Sequence, residues 1–252
     1  MRSVTALALR VLRQFSHDPR TVVMFIVAPL LVLWLLSAIF SGSAYDSPGP
    51  EGMRQVDYLG PALIGIFVFV FVFLTSGMSL ISERTGGTLE RVFATPIRSG
   101  QLVLGYSLGF GLVALVQSSL VLAGAIWLVG FPNEGSFGTL ITITATLAIV
   151  SLTLGLAVSG AARTPLQVIQ LMLMVVVPQI LLSGIFDLTG APTWLQTLSD
   201  WLPLSHGATA LRETMLEGYT FGEVAGQLGI LWAFAAAFFA LATLAFHRRQ
   251  VG

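Results

Sequence analysis

The sequence predicts an all-α polytopic membrane protein with six transmembrane helices. Apolar residues make up 55% of the 252 positions and charged residues only 10%, against about 25% charged in soluble proteins. The apolar residues are gathered in six runs, each near or above the ~20 residues that a helix needs to cross a ~30 Å hydrocarbon core. These runs are residues 22–40, 59–82, 102–130, 137–161, 168–186 and 225–246.

Arginine is distributed unevenly between the segments that separate these runs. Ten of the twelve arginines fall before the first run, in the second and fourth loops, or after the last run, and only Arg54 and Arg212 fall on the other side. Short basic segments stay in the cytoplasm. The sequence therefore predicts a multi-pass protein with both termini cytoplasmic, folded as a single transmembrane domain over residues 1–252.

The composition also excludes several chemistries. The chain has no cysteine and no lysine, so it has neither a disulfide nor the lysine of a phosphate-binding loop. Its three histidines, His17, His206 and His247, are too scattered in sequence for a metal site or a nucleophile–base pair. We therefore expect no catalytic residue, no metal and no bound cofactor in this chain.

Residues 1–20 have the pattern of an amphipathic helix that ends before Asp18-Pro19. Apolar residues recur at helical spacing up to Phe15, while Arg10 and Arg13 lie on another face. Such a helix lies on the membrane surface with its apolar face on lipid and its arginines toward anionic headgroups. The alternative is a solvated leader whose arginines only set topology.

The sequence of the loop at residues 84–98 predicts a short helix of its own. Gly86-Gly87 interrupts the helix of the second run, Thr88 can cap a new helix, and Pro96 ends it. Its apolar residues share one face, which would lie on lipid or dock into a groove of a soluble partner. The residues of this helix are Thr88, Leu89, Glu90, Arg91, Val92 and Phe93.

The outer segment, residues 187–224, predicts two short amphipathic helices separated by Pro203. Trp194 and Trp201 suit the boundary between lipid and water. The two helices would dip into the outer leaflet or lie on it, although membrane anchoring alone also explains the tryptophans.

The six runs carry no charged residue at mid-depth, which argues against an ion route through them. Their neutral polar and aromatic residues form a candidate path for an amphipathic substrate. The alternatives are that most phenylalanines contact lipid and that Ser and Gln bond neighbouring helices. Gly105-x-x-x-Gly109 and Gly222-x-x-x-Gly226 predict close helix packing. The candidate path residues are Phe69, Phe73, Ser76, Gln170 and Gln179.

Several motifs in this order resemble the permease subunits of the type-2 ATP-binding-cassette exporter family, particularly the half-size permeases of bacterial drug exporters. They are Glu-Arg-Thr-Gly-Gly-Thr-Leu-Glu at 83–90, Ala-Thr-Pro at 94–96, Leu-Ser-Gly-Ile-Phe at 182–186, Pro-Thr-Trp-Leu-Gln at 192–196, Pro-Leu-Ser-His at 203–206 and Leu-Arg at 211–212.

The resemblance implies a transport subunit of a multidrug or antibiotic exporter in the bacterial plasma membrane. Residues 88–95 would couple it to a separate cytosolic ATPase subunit, which binds the ATP and magnesium. Residues 1–18 would also touch that ATPase. Residues 192–216 would be re-entrant outer helices that gate the extracellular exit, with Trp194 and Trp201 as gate residues. A second copy or a similar permease would complete the dimer; membrane lipid is a further partner and nucleic acid is not. The alternative is an ion-coupled secondary transporter, which usually shows an intramembrane carboxylate and repeated halves.

Overall fold

The computed structural model describes residues 2–40, 54–87, 99–162, 164–186, 188 and 190–251, and these ranges contain no strand. Their helices are α1 (Arg2–Ser16), α2 (Pro19–Phe40), α3 (Gln55–Thr85), α4 (Ser99–Gly124), α5 (Phe137–Ala161), α6 (Pro165–Leu181), α7 (Thr193–Asp200), α8 (Pro203–Glu217) and α9 (Ala225–Val251), with a π-helical turn, Ala125–Val129, directly after α4.

Within the described ranges, five helices are long and apolar enough to cross a membrane, and they define a multi-pass membrane protein. They are Val23–Phe40, Gln55–Glu83, Ser99–Val129, Phe137–Ala161 and Ala225–His247. The remaining predicted span, the fifth apolar run, corresponds to α6. This helix has 17 residues, which is about 25 Å at 1.5 Å per residue. It ends at Leu181, five residues before the predicted end at Phe186, because Leu182 leaves the helical conformation and Gly184 turns the chain at φ +85°. That α6 crosses the membrane stays a prediction.

Helix boundaries follow the local signals for starting and stopping. Pro165 and Pro203 occupy the first turns of α6 and α8, where the missing N–H of proline breaks no helical bond. Gly218 ends α8 in the left-handed conformation, and its N–H donates to the carbonyl of Thr214. As predicted, α1 ends before Asp18-Pro19 and α3 ends before Gly86-Gly87.

Helix α5 lies at the centre of the bundle, where it contacts α3, α4, α8 and α9. Small residues let the backbones approach closely. A Cβ added at Gly155 of α5 would collide with the hydroxyl of Ser76 and lie 2.8 Å from the carbonyl oxygen of Phe73 on α3. Helix α2 is the most exposed of the five long helices.

The bundle has two ends. Helices α3, α5 and α9 finish at the end that carries α1, and this is called the α1 end; the opposite end, with α7 and α8, is the α8 end. Three contacts establish this order: Arg10 of α1 lies beside Glu83 at the end of α3, Gly77 of α3 lies against Gly155 of α5, and Gly160 of α5 lies against Phe246 of α9.

The expectation that most phenylalanines of the second run contact lipid is wrong for Phe69 and Phe73. Both are fully buried, and their rings stack at 6.1 Å between centroids. Residues four apart share a helix face, and this face of α3 is covered by α5. The close-packing prediction for Gly222 and Gly226 is also wrong in the described chain, because a Cβ at either position would meet nothing within 4 Å.

Candidate functional site

Helix α1 packs on protein through its apolar face, and the prediction that this face lies on lipid is wrong. Leu7, Val11 and Phe15 are buried. A Cβ at Gly105 would lie 2.8 Å from the Cβ of Leu7, and one at Gly109 would lie 2.7 Å from the Cβ of Val11. The predicted close packing at Gly105-x-x-x-Gly109 is therefore confirmed, with α1 as the partner of α4.

The aromatic residue at the end of α1 contributes to the same contact. The ring of Phe15 meets the ring of Phe110 edge-on, with 5.9 Å between centroids and an interplanar angle of 85°. Edge-to-face geometry is favourable for aromatic pairs. Arg13 remains exposed, so its predicted position at the membrane surface stays a prediction.

Arg10 does not follow the prediction that it faces lipid headgroups. Its Nη2 lies 3.4 Å from Oε2 of Glu83, in the last turn of α3. The same oxygen accepts a hydrogen bond from the hydroxyl of Tyr106 on α4. Glu83 and Tyr106 are both buried, with exposed fractions of 7% and 1%. We call Arg10, Glu83 and Tyr106 the Glu83 cluster.

The predicted coupling residues lie outside the described residues. Thr88, Leu89, Glu90, Arg91, Val92 and Phe93 all belong to the stretch 88–98 between α3 and α4. The last described residue before this stretch is Gly87, which has a φ of +69°. The N–H of the preceding Gly86 donates a hydrogen bond to the carbonyl of Ser82 at 2.9 Å. Their role in contacting an ATPase stays a prediction.

Three of the candidate path residues are packed inside the chain. Phe69, Phe73 and Ser76 are buried where α3 meets α5. The hydroxyl of Ser151 on α5 donates to the carbonyl of Phe69. These residues hold the two helices together in this conformation, and their place on a substrate path stays a prediction.

The two glutamines of α6 lie in different environments. Gln170 is exposed, whereas Gln179 is buried and its Oε1 accepts a hydrogen bond from the N–H of Leu204 at 3.1 Å. Leu204 is in the first turn of α8, where backbone N–H groups have no partner within the helix. Gln179 therefore caps α8. The assignment of Gln170 and Gln179 to the substrate path stays a prediction.

A groove of about 450 Å³ opens near the α1 end between α1, α2, α3 and α6. Its lining combines apolar and polar side chains, so it matches compounds that carry both kinds of surface. The lining includes Phe15, Phe25, Met78, Gln14, Thr75 and Ser79.

The two short helices at the α8 end are present as predicted, but they differ in environment. The apolar face of α7 is exposed, with Trp194 at 67% and Trp201 at 70%. Helix α8 instead packs into the bundle against α3, α5 and α9, with Leu204 and Leu211 fully buried. The role of the tryptophans in a gate stays a prediction.

Polar residues on α8 connect it to neighbouring segments. Nη2 of Arg212 donates to the carbonyl of Gly184 at 2.7 Å, and its guanidinium lies 4.6 Å above the ring of Tyr58. Burial, with a smaller contribution from nearby Glu217, raises the pKa of Glu213, while the charge of Arg212 opposes this rise. Sequence reasoning assigned no contact to Arg212, Glu83 or Tyr106.

Fold and site together define a multi-pass, all-helical membrane protein in which Arg10 of α1 contacts Glu83 at the end of α3. The profile of the family described as ABC-2 type transporter matches residues 2–216. The chain belongs to the ABC-2 type transporter family, as its motifs indicate.

Curated relatives agree with this membership. ABC transporter G family member 20 of Dictyostelium discoideum is 32% identical over 68% of this chain and 23% of its own length. The probable multidrug ABC transporter permease YbhR of Escherichia coli K12 is 28% identical over 76% of this chain and 52% of its own. The daunorubicin resistance ABC transporter permease protein DrrB1 of Streptomyces coeruleorubidus is 27% identical over 96% and 84%, respectively. The chain thus spans about a quarter to a half of the first two relatives.

Proposed function

We propose that the chain is the membrane-spanning subunit of an ATP-driven exporter, working by alternating access. A separate cytosolic subunit binds ATP and magnesium, and a second permease, identical or similar, completes the complex. The observation that carries this proposal is the 3.4 Å contact between Arg10 and Glu83. It brings α1, one of the two segments assigned to the ATPase, beside the end of α3, the helix that precedes residues 88–95 in the sequence.

The substrate class is hydrophobic or amphipathic compounds, drug-like or lipid-like. Support comes from the mixed lining of the groove between α1, α2, α3 and α6, which suits entry from the inner leaflet. Relatives named for daunorubicin resistance and probable multidrug transport point to the same class. Phe69, Phe73 and Ser76 would reach the path only in a state where α3 separates from α5, a state that a ligand must bind preferentially to populate.

The arginine distribution supports a bacterial plasma membrane location with both termini cytoplasmic. Fusing a reporter that is active only outside the cytoplasm tests this topology. Fusions after Gly130 and Tyr219 should be active, and a fusion after Gly252 should be inactive. The reverse pattern would invert the assignment of the α1 end to the cytoplasm.

Affinity purification of the tagged chain from its native membranes tests the energy source. We expect a soluble ATPase to co-purify at one copy per permease and to be lost from the variant with Glu90→Ala plus Phe93→Ala. The matched control is Leu128→Ala, an exposed apolar residue in the π-helical turn, which should keep the ATPase. Absence of an ATPase under conditions that preserve known complexes of this kind contradicts the proposal.

Transport by the purified complex in liposomes separates the two energy sources. Daunorubicin, the compound in the name of DrrB1, serves as the probe. ATP should drive its transport with no ion gradient present. Transport that stops when the ion gradient is removed, with ATP still present, would favour the ion-coupled alternative.

A further inference from the structure

Glu83 is an acidic residue buried at the end of a membrane-spanning helix. It lies in the last turn of α3, and only 7% of it is exposed. Removing a carboxylate from water is costly unless hydrogen bonds and opposite charge compensate. Its position therefore depends on the groups that surround it.

Two of those groups come from two other helices. Oε2 of Glu83 accepts a hydrogen bond from the hydroxyl of Tyr106 on α4, and it lies 3.4 Å from Nη2 of Arg10 on α1. Hydrogen bonds to a charged acceptor are stronger than those between neutral groups. One carboxylate oxygen is thus the meeting point of three helices.

Two of the three helices already form a tightly packed pair. Gly105 and Gly109 of α4 leave room only for the side chains of Leu7 and Val11 on α1. Helix α3, by contrast, contacts α4 much less extensively than it contacts α5. The Glu83 cluster is therefore a local attachment of the end of α3 to the α1–α4 pair.

The attachment lies directly before the stretch assigned to ATPase contact. Glu83 is followed by the end of α3 at Thr85 and by the Gly86-Gly87 turn, after which residues 88–98 begin. That stretch is joined to the end of α3 on one side and to the start of α4, at Ser99, on the other. Whether α3 and the α1–α4 pair then move as one unit depends on the bonds at Glu83.

We infer that Glu83 and Tyr106 are positioning residues for coupling: they make α3 move together with α1 and α4 when the ATPase displaces residues 88–98. This inference rests on the proposed function and adds the residues that transmit the movement. Without the cluster, the ATPase would still bind and hydrolyse ATP, but α3 and the α1–α4 pair would respond to the displacement separately and less substrate would be moved per ATP.

Tyr106→Phe removes one hydroxyl and keeps the ring, which stacks on Phe110 at 6.0 Å, so folding should be preserved. Glu83→Gln keeps the shape of the side chain and removes its charge. The matched control is Ser107→Ala, which removes the neighbouring hydroxyl of α4; that hydroxyl has no hydrogen-bond partner in the part of the chain that the structure describes.

The first measurement is the amount of daunorubicin transported per ATP hydrolysed by the purified complex in liposomes. We expect Tyr106→Phe and Glu83→Gln to co-purify with the ATPase and to hydrolyse ATP, while transport per ATP falls about tenfold, as for the loss of one hydrogen bond to a charged group. Ser107→Ala should match the unmodified protein. An unchanged ratio in both variants, or an equal fall in transport and hydrolysis, overturns the inference.

A second measurement needs no ATPase. The chain has no cysteine, so Gln14→Cys on α1 and Ser82→Cys on α3 can carry the only two spin labels. The distance distribution between them should broaden in Tyr106→Phe and stay narrow in Ser107→Ala; equal widths overturn the inference. If the unmodified chain co-purifies with no ATPase, the proposed function itself fails, whatever the variants do.

Discussion

Arg212 on α8 binds the backbone of Gly184 directly: its Nη2 donates to the carbonyl oxygen at 2.7 Å. Gly184 follows the end of α6 and has a φ of +85°. The same guanidinium lies 4.6 Å above the ring of Tyr58 at the start of α3. One side chain therefore joins α3, α8 and the turn that leads from α6 to α7.

We predict that Arg212→Lys weakens this junction. Lysine has no planar fork, so it cannot both bond the Gly184 carbonyl and stack on Tyr58. The expected loss is about 1–2 kcal/mol, measured as a lower thermal unfolding midpoint of the purified protein. A midpoint equal to that of the unmodified protein would show that the junction adds no stability.

Gly184→Ala tests the other side of the junction. An alanine at this φ is strained, and its Cβ would lie 3.3 Å from Nη1 of Arg212. The effects of Gly184→Ala and Arg212→Lys should not add in the double variant, because the two residues are in contact. Gly190→Ala is the control, since its Cβ would meet nothing within 4 Å.

The contact of α1 with α4 can be tested by chemical labelling. Val11→Cys places the only cysteine of the chain in this buried contact, so it should react slowly with a maleimide. Adding Gly109→Ala should increase the rate several-fold, since the new Cβ would lie 2.7 Å from the Cβ of residue 11. Gly111→Ala, whose Cβ is 3.7 Å from the nearest atom, should leave the rate unchanged. Equal labelling rates in Val11→Cys alone and in its combinations with Gly109→Ala and Gly111→Ala would mean that α1 does not need the close approach at Gly109.

Gly155→Ala should destabilise the contact between α3 and α5. The added methyl group would collide with Ser76 and lie 2.8 Å from the backbone oxygen of Phe73, which can retreat only if α3 moves. Overpacking of this kind costs about 1–3 kcal/mol. The measurement is the unfolding midpoint, with Gly229→Ala as control because its Cβ meets nothing within 4 Å. A neutral effect at Gly155 would show that α3 and α5 separate easily.

The two glutamines of α6 allow a matched comparison. Gln179→Met leaves the buried N–H of Leu204 without its acceptor, which should cost about 1–3 kcal/mol. Gln170→Met, on the exposed face, should not change the unfolding midpoint. If both variants have normal midpoints, Gln179 does not act as the cap of α8.

The Thr220–Glu223 pair predicts a pH dependence. Oε2 of Glu223 accepts hydrogen bonds at 2.7 Å from the N–H and from the hydroxyl of Thr220, in the turn that precedes α9. These bonds lower the pKa of Glu223 below its usual value of 4.5. A lowered pKa in the folded state stabilises the fold above 4.5, and this stabilisation disappears as the pH falls through the lower value.

The test compares unfolding midpoints of the unmodified protein and Glu223→Gln between pH 7 and pH 3. The unmodified protein should be more stable at pH 7, and the difference should shrink below about pH 4.5, where the free carboxyl group takes up a proton. A difference that is constant over this range would mean that ionised Glu223 does not make these bonds.

Much of the helical layout could be predicted from hydropathy alone. The run 137–161 coincides with α5, and Asp18-Pro19 and Gly86-Gly87 mark the ends of α1 and α3. Helix α6 is shorter than its apolar run because the turn at Gly184 depends on tertiary contacts with Arg212. Hydropathy describes how apolar a stretch is, not where its backbone turns.

The site was harder to predict, because its polar contacts join residues far apart in sequence. An amphipathic pattern shows that α1 has an apolar face, but lipid and α4 are equally apolar covers for it. Glu83 directly follows the second apolar run, and nothing in the sequence near it points to Tyr106 or Arg10 as its partners. A lone tyrosine in the apolar α4, Tyr106, was the one signal that a polar partner had to be close.

The fit of α1 against α4 also sets an order of events during synthesis. Leu7 and Val11 leave the ribosome long before Gly105 and Gly109. At roughly 5–20 residues per second, the apolar face of α1 has no partner for several seconds, and the nearest apolar phase is the bilayer into which α2 and α3 are being inserted. The apolar face of α1 therefore exists before its partner helix does, and docking on α4 is a late step in membrane assembly.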